Sequence, residues 1–181
     1  MVCMMAVTLS SCHQRTQKDP DNYVVEAIKP DVISTEIHEL QTIKATSQAE
    51  FKGKMYDMTV VRRADSTLPI VTDVQGLKYY DNTITLEVTT GGKIFADKIF
   101  NKNTFASYLE ADFLKHSILE GLVFDKVTEN GLMFAASVSY PESDLYVPFH
   151  ITLLPNGSLS IDKADLMEDY EPEPEQEPEK K

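Results

Sequence analysis

Cys12 follows Leu9-Ser10-Ser11, a spacing that points to lipid attachment. Small residues before a scission point fit a signal peptidase cleft, and the thiol left at the new N-terminus can carry a diacylglyceryl group. The apolar run Met4-Met5-Ala6-Val7-Thr8-Leu9 supplies the hydrophobic part of a leader. Residues 1–11 are therefore expected to be a lipoprotein signal peptide. It is short and holds no Lys or Arg before the apolar run, as a leader truncated at its own N-terminus would be. Cys3 falls in the discarded part, so the mature domain is expected to use neither a free thiol nor a disulfide.

The four histidines are His13, His38, His116 and His150. None is read as having a second His, Cys or acid at ligand spacing, so no metal site is expected. His116 should close a helix, where a cation suits the C-terminal dipole, and His150 should sit on the polar face of a strand. The tightest carboxylate group in a loop is Glu142-Ser143-Asp144, with Asp73 and Asp112 elsewhere. These are too few for calcium, which takes about six or more oxygens. Two acids converging in space would make a carboxylate-based hydrolase acting on an envelope or glycan substrate, and this stands as the alternative to a binding role. The absence of Trp removes the usual aromatic platform of such a site. Ser137 and Ser139 lack a Gly-x-Ser-x-Gly elbow, and Gly91-Gly92 lacks the Lys-Ser/Thr of a phosphate loop, so no cofactor is expected.

Tyr79-Tyr80-Asp81-Asn82 has more promise. Tyrosine offers a large contact area at low entropic cost, so Tyr79, Tyr80 and Asp81 are candidate ligand contacts on a rim before a strand. The competing role is a turn whose tyrosines pack on the sheet edge. Lys98, Lys102 and Arg62-Arg63 are dispersed and suggest no basic groove. A formal net charge of −12 argues against nucleic acid as a partner.

These residues must be held by strands, because period-2 alternation dominates from about residue 54. Leu145, Val147, Phe149, Ile151 and Leu153 share one face; Tyr146, Pro148, His150 and Thr152 share the other. Pro148 cannot donate to a ladder, which predicts an edge strand or a bulge. Asn156-Gly157 then turns the chain toward Leu159 and Ile161. A second hairpin joins residues 84–90 to 94–100 through Gly91-Gly92, and a third joins 118–127 to 132–140 across Glu129-Asn130-Gly131. Residues 54–63 read as a strand with Tyr56, Met58 and Val60 on one side, and 33–46 lean toward strand. One helix is expected near 104–116, capped by Asn103 or Thr104, with Phe105, Tyr108, Leu109, Phe113 and Leu114 at three- and four-residue steps. The fold class is mainly β with some helix (α+β). Its hairpins should build a curved antiparallel sheet or incomplete barrel, with the helix against an opening.

Polarity sets the domain limits. Residues 12–30 are polar and unpatterned and are expected to be a flexible tether. Residues 31–167 make a single β-rich domain. The tail 168–181 holds seven acids against two lysines and alternates Pro with Glu, which predicts a disordered acidic extension.

Several stretches resemble a family of small lipoproteins of unknown function from gut Bacteroides-type bacteria. They are Leu68-Pro69-Ile70-Val71, Tyr80-Asp81-Asn82-Thr83-Ile84-Thr85-Leu86, Phe100-Asn101-Lys102-Asn103-Thr104-Phe105, Ile118-Leu119-Glu120-Gly121-Leu122 and Val138-Ser139-Tyr140-Pro141. The resemblance covers roughly residues 35–165. It implies export and an envelope location and brings no established activity, ligand or catalytic residue. Surface display in that lineage tends to follow an acidic stretch after the lipidated cysteine. Here the first acid is Asp19, which favours the periplasmic face of the outer membrane. The expected role is that of a non-enzymatic binding or structural module, held to a membrane through its lipid, with an envelope protein or a small ligand as partner.

Overall fold

Alternating apolar residues and tight turns place most of the chain in antiparallel strands. The computed structural model describes residues 35–164; the leader, Cys12, His13, the tether and the acidic tail lie outside these residues. The first four-stranded sheet contains β2 (Ile43–Phe51), β3 (Lys54–Ala64), β6 (Asn82–Thr90) and β7 (Lys93–Phe100) in that order. The second runs β11 (Leu159–Lys163), β10 (Tyr146–Leu153), β9 (Leu132–Ser139), β8 (Ile118–Val127). A third, small sheet joins β1 (Ile37–His38) in parallel to β5 (Lys78–Tyr79), which pairs antiparallel with β4 (Val71–Thr72).

All three expected hairpins form. Gly91 and Gly92 both take positive φ, as a two-residue turn matched to strand twist requires. Two more form: one joins β2 to β3 through Lys52 and Gly53, also both at positive φ, and one joins β9 to β10 through residues 140–145. The segment 33–46 becomes strand only at Ile37–His38 and from Ile43 onward.

The two larger sheets face one another across a shared core. Tyr56, Met58 and Val60 of β3 and Ile84, Leu86 and Val88 of β6 supply one side. Leu132, Phe134, Ala136 and Val138 of β9 and Phe149, Ile151 and Leu153 of β10 supply the other. The sheets do not close into a barrel: β2, β7, β8 and β11 are edges among the described strands.

The helical stretch stops one end of this core in two pieces. A 3-10 helix, Lys102–Tyr108, is capped by Asn101 rather than by Asn103 or Thr104, which lie inside it: the Asn101 side chain accepts from the Asn103 amide, and the Asn101 amide donates to the Thr104 hydroxyl. Phe105 and Tyr108 lie three apart, the period of that helix, and both rings meet Phe149, at 4.7 and 5.8 Å between centroids. Leu109 and Glu110 are extended, and α1 (Ala111–His116) follows.

Strand β10 differs from the expected edge. It pairs with β9 on one side and β11 on the other. The Pro148 carbonyl accepts from the Ala164 amide, just past the end of β11. The nitrogen of a strand residue points to the same side as its carbonyl, so the missing N–H falls where the partner strand runs out. Leu145 lies before the strand and is exposed rather than on the apolar face.

Candidate functional site

The stretch Tyr79-Tyr80-Asp81 leads from the small sheet into β6, and the fold turns two of its three side chains inward. Tyr79 is buried, packed with Val71 and Ile118 and ring to ring with His38 at 5.3 Å. Its hydroxyl donates to Glu142 Oε2 at 3.4 Å. Burial pushes the Tyr79 phenol above its usual pKa, and the nearby charges of Glu142 and Asp73 push it the same way. Tyr80 is half-buried and its amide donates to the His38 carbonyl at 2.9 Å. Asp73 is itself committed to its turn, its Oδ1 accepting from the amides of Gln75 and Leu77 at 2.8 Å each. The Glu142-Ser143-Asp144 loop therefore touches this node through Glu142, which adopts a left-handed φ of 52°.

Asp81 belongs to a second node, between the two large sheets. Its Oδ1 accepts from the backbone amides of Asn82 and Leu119, at 2.8 and 2.9 Å. Its Oδ2 lies 3.6 Å from Lys102 Nζ, with side chains only 4 % and 14 % exposed. Lys102 Nζ also donates to the Ser117 carbonyl at 2.7 Å. Asn82 Nδ2 donates to the Leu119 carbonyl at 2.9 Å, and its Oδ1 is buried with no partner. Burial dominates both charged groups: it raises the Asp81 carboxyl and lowers the Lys102 ammonium, against their mutual attraction. Lys102, expected among dispersed surface cations, is thus drawn into the interior.

The third feature is a slot of about 80 Å³ between the edges of the two sheets. Ile43 and Ala45 of β2, Val60 and Arg62 of β3, and Glu120 to Val123 of β8 line it. Ala45, the small residue of β2 in its lining, stands opposite Val60. Ile43 and Val123 remain half exposed there, at 50 % and 52 %. Arg62 bridges the mouth, donating to the carbonyls of Glu120 and Gln41 at 2.5 and 3.0 Å, while its Nε–H is buried without an acceptor. Burial lowers the Arg62 guanidinium, and the Glu120 carboxylate opposes that. Glu120 is the extra residue of a bulge in β8 and lies 3.4 Å from the Ser137 hydroxyl. A sequence signal for Arg62 did exist: it continues the inward-facing series Tyr56, Met58, Val60. Asn82 likewise precedes Ile84 and Leu86 on their face. Nothing local marks Lys102.

The histidine reading needs one correction. Asp112 and His116 stand four apart on α1, and His116 Nε2 lies 3.9 Å from Asp112 Oδ1. Its Nδ1–H donates to the Thr72 carbonyl at 2.6 Å, pinning the helix to β4. Among the described residues no group of three such side chains gathers. His150 lies on the outer face of β10, opposite Asp162 and Ala135, as its alternation predicted.

A family model described as a domain of unknown function, DUF4738, matches residues 23–161. The chain belongs to the DUF4738 family. No curated protein matches it. The three features above, buried tyrosine node, buried ion pair and edge slot, are therefore features of a DUF4738 domain with no assigned chemistry to borrow.

Proposed function

We propose that this DUF4738 protein is a lipid-anchored envelope lipoprotein, tethered through Cys12 at the periplasmic face of the outer membrane, whose domain binds another envelope protein without catalysis. The slot between β2 and β8 carries this reading. Both strands are sheet edges among the described residues, with β8 covered by Asp81, Asn82 and Arg62 only at Leu119 and Glu120, and apolar side chains line the space between them. An extended segment of a partner adds to such an edge through its main chain and sets specificity through alternate side chains. A filled core and carboxylates bound into turns and pairs favour this role over the hydrolase.

Two measurements test it. A photo-crosslinking residue in place of Val123 should give a discrete adduct in cells, absent at Glu87 on the opposite sheet and lost in the Ile43→Asp background. The recovered peptide should be an apolar, strand-forming segment. Equal adducts at both positions would sink the slot. For the anchor, a fatty-acid probe should label the wild type and not Cys12→Ala, and equal labelling would remove it.

A further inference from the structure

The Asp81–Lys102 node is arranged for more than an ion pair. The Asp81 carboxyl presents its two oxygens to different surroundings. Oδ1 faces two backbone N–H donors, from Asn82 and Leu119, while Oδ2 faces the amine nitrogen at 3.6 Å. Two amides aimed at one carboxyl oxygen are the arrangement that stabilises the oxyanion of a tetrahedral intermediate. The Ser117 carbonyl, 2.7 Å from Nζ, holds one amine hydrogen and so directs the amine. Reactants held in place gain an effective molarity of about 10⁵–10⁸ M over free ones once the reacting atoms approach to about 3–3.5 Å, and the 3.6 Å between Nζ and Oδ2 leaves Lys102 a small rotamer adjustment from Cγ.

We propose that Lys102 and Asp81 condense to an intramolecular isopeptide bond. The proton shared by the pair first resides on Oδ2, leaving a neutral amine and a neutral acid. Nζ attacks Cγ, forming the C–N bond while negative charge gathers on Oδ1 between its two amide donors. A proton from Nζ passes to the Oδ2 hydroxyl, the Cγ–Oδ2 bond breaks, and one water leaves. The balance needs no oxidant, metal or cofactor. Burial favours the reacting forms, since it raises the acid's pKa and lowers the amine's.

The product would join the start of β6 to the start of the 3-10 helix and close a covalent loop around the β6–β7 hairpin. The amide oxygen would keep its bonds to Asn82 and to Leu119 of the facing sheet. Cys3 and Cys12 are the chain's two cysteines, and both precede the described domain, so no disulfide can supply such a crosslink there. The inference does not depend on the proposed partner binding.

Intact-mass measurement of the purified chain decides the matter. The wild type should weigh one water less than the calculated mass of its mature chain, processed N-terminus included, and its tryptic digest should contain a branched peptide joining Lys102 to Asp81. Lys102→Arg and Asp81→Ala should each show the mature mass without that water loss. A wild type at full mass after prolonged incubation would overturn the proposal, as would a water loss that persists in Lys102→Arg. The wild-type reading stands even if a variant fails to fold.

Discussion

Phe149 and His150 are neighbours in the chain and occupy opposite faces of β10. Phe149 is fully buried against Phe105 and Tyr108, whereas His150 lies on the outer face. Phe149→Ala should therefore cost about 3–5 kcal/mol, through lost burial and the cavity left behind. His150→Ala should cost less than about 1 kcal/mol, the usual range away from packed or paired positions. Denaturant titration of the two variants checks the register, because a one-residue slip would exchange the two side chains. A larger loss for His150→Ala would contradict it. Residues of this kind were legible because alternation alone fixes their facing. Lys102 was not, because its burial depends on Asp81, 21 positions earlier, and on the Ser117 carbonyl.

At the scale of elements, turns decide how closely strands can approach. Gly131 ends the β8–β9 turn, and a Cβ there would run into the carbonyl oxygen of Leu153 at the end of β10. That neighbour is backbone and cannot swing aside. Gly131→Ala should lower stability by about 1–3 kcal/mol, as overpacking against fixed atoms does. Gly121 makes the control, since its Cβ would meet only the Ser137 hydroxyl, at 3.6 Å. Gly121→Ala should stay within about 1 kcal/mol, and thermal unfolding of both variants measures the contrast. The hairpin was readable from Asn130-Gly131, but this close approach comes from a third strand. The same limit applies to Pro148, whose sequence predicts an edge. The point at which β11 ends decides otherwise.

For the molecule as a whole, one core shared by two sheets implies one cooperative unit. Leu86 in the first sheet and Phe134 in the second are both fully buried in it. Leu86→Ala should cost about 2–5 kcal/mol and Phe134→Ala about 3–5 kcal/mol, each by removing side-chain volume from the same interior. Either variant should still unfold in a single transition, with tyrosine fluorescence and far-UV circular dichroism coincident. Separate midpoints for the two probes would show sheets that unfold independently.

Local rules acting through the sequence alone determined the mainly β class, three of the five large hairpins, the helical stretch and the facing of the core strands. Side-chain alternation, glycine conformational freedom and capping each operate over a few residues, so their traces lie in contiguous sequence. Tertiary structure alone decided which hairpins share a sheet, that Tyr79 and Asp81 turn inward, that Lys102 is drawn in beside a carboxylate, and that an open slot separates β2 from β8. Each of these depends on packing between segments distant in the chain. The small side chain of Ala45 leaves room, but only the position of β8 turns that room into a slot.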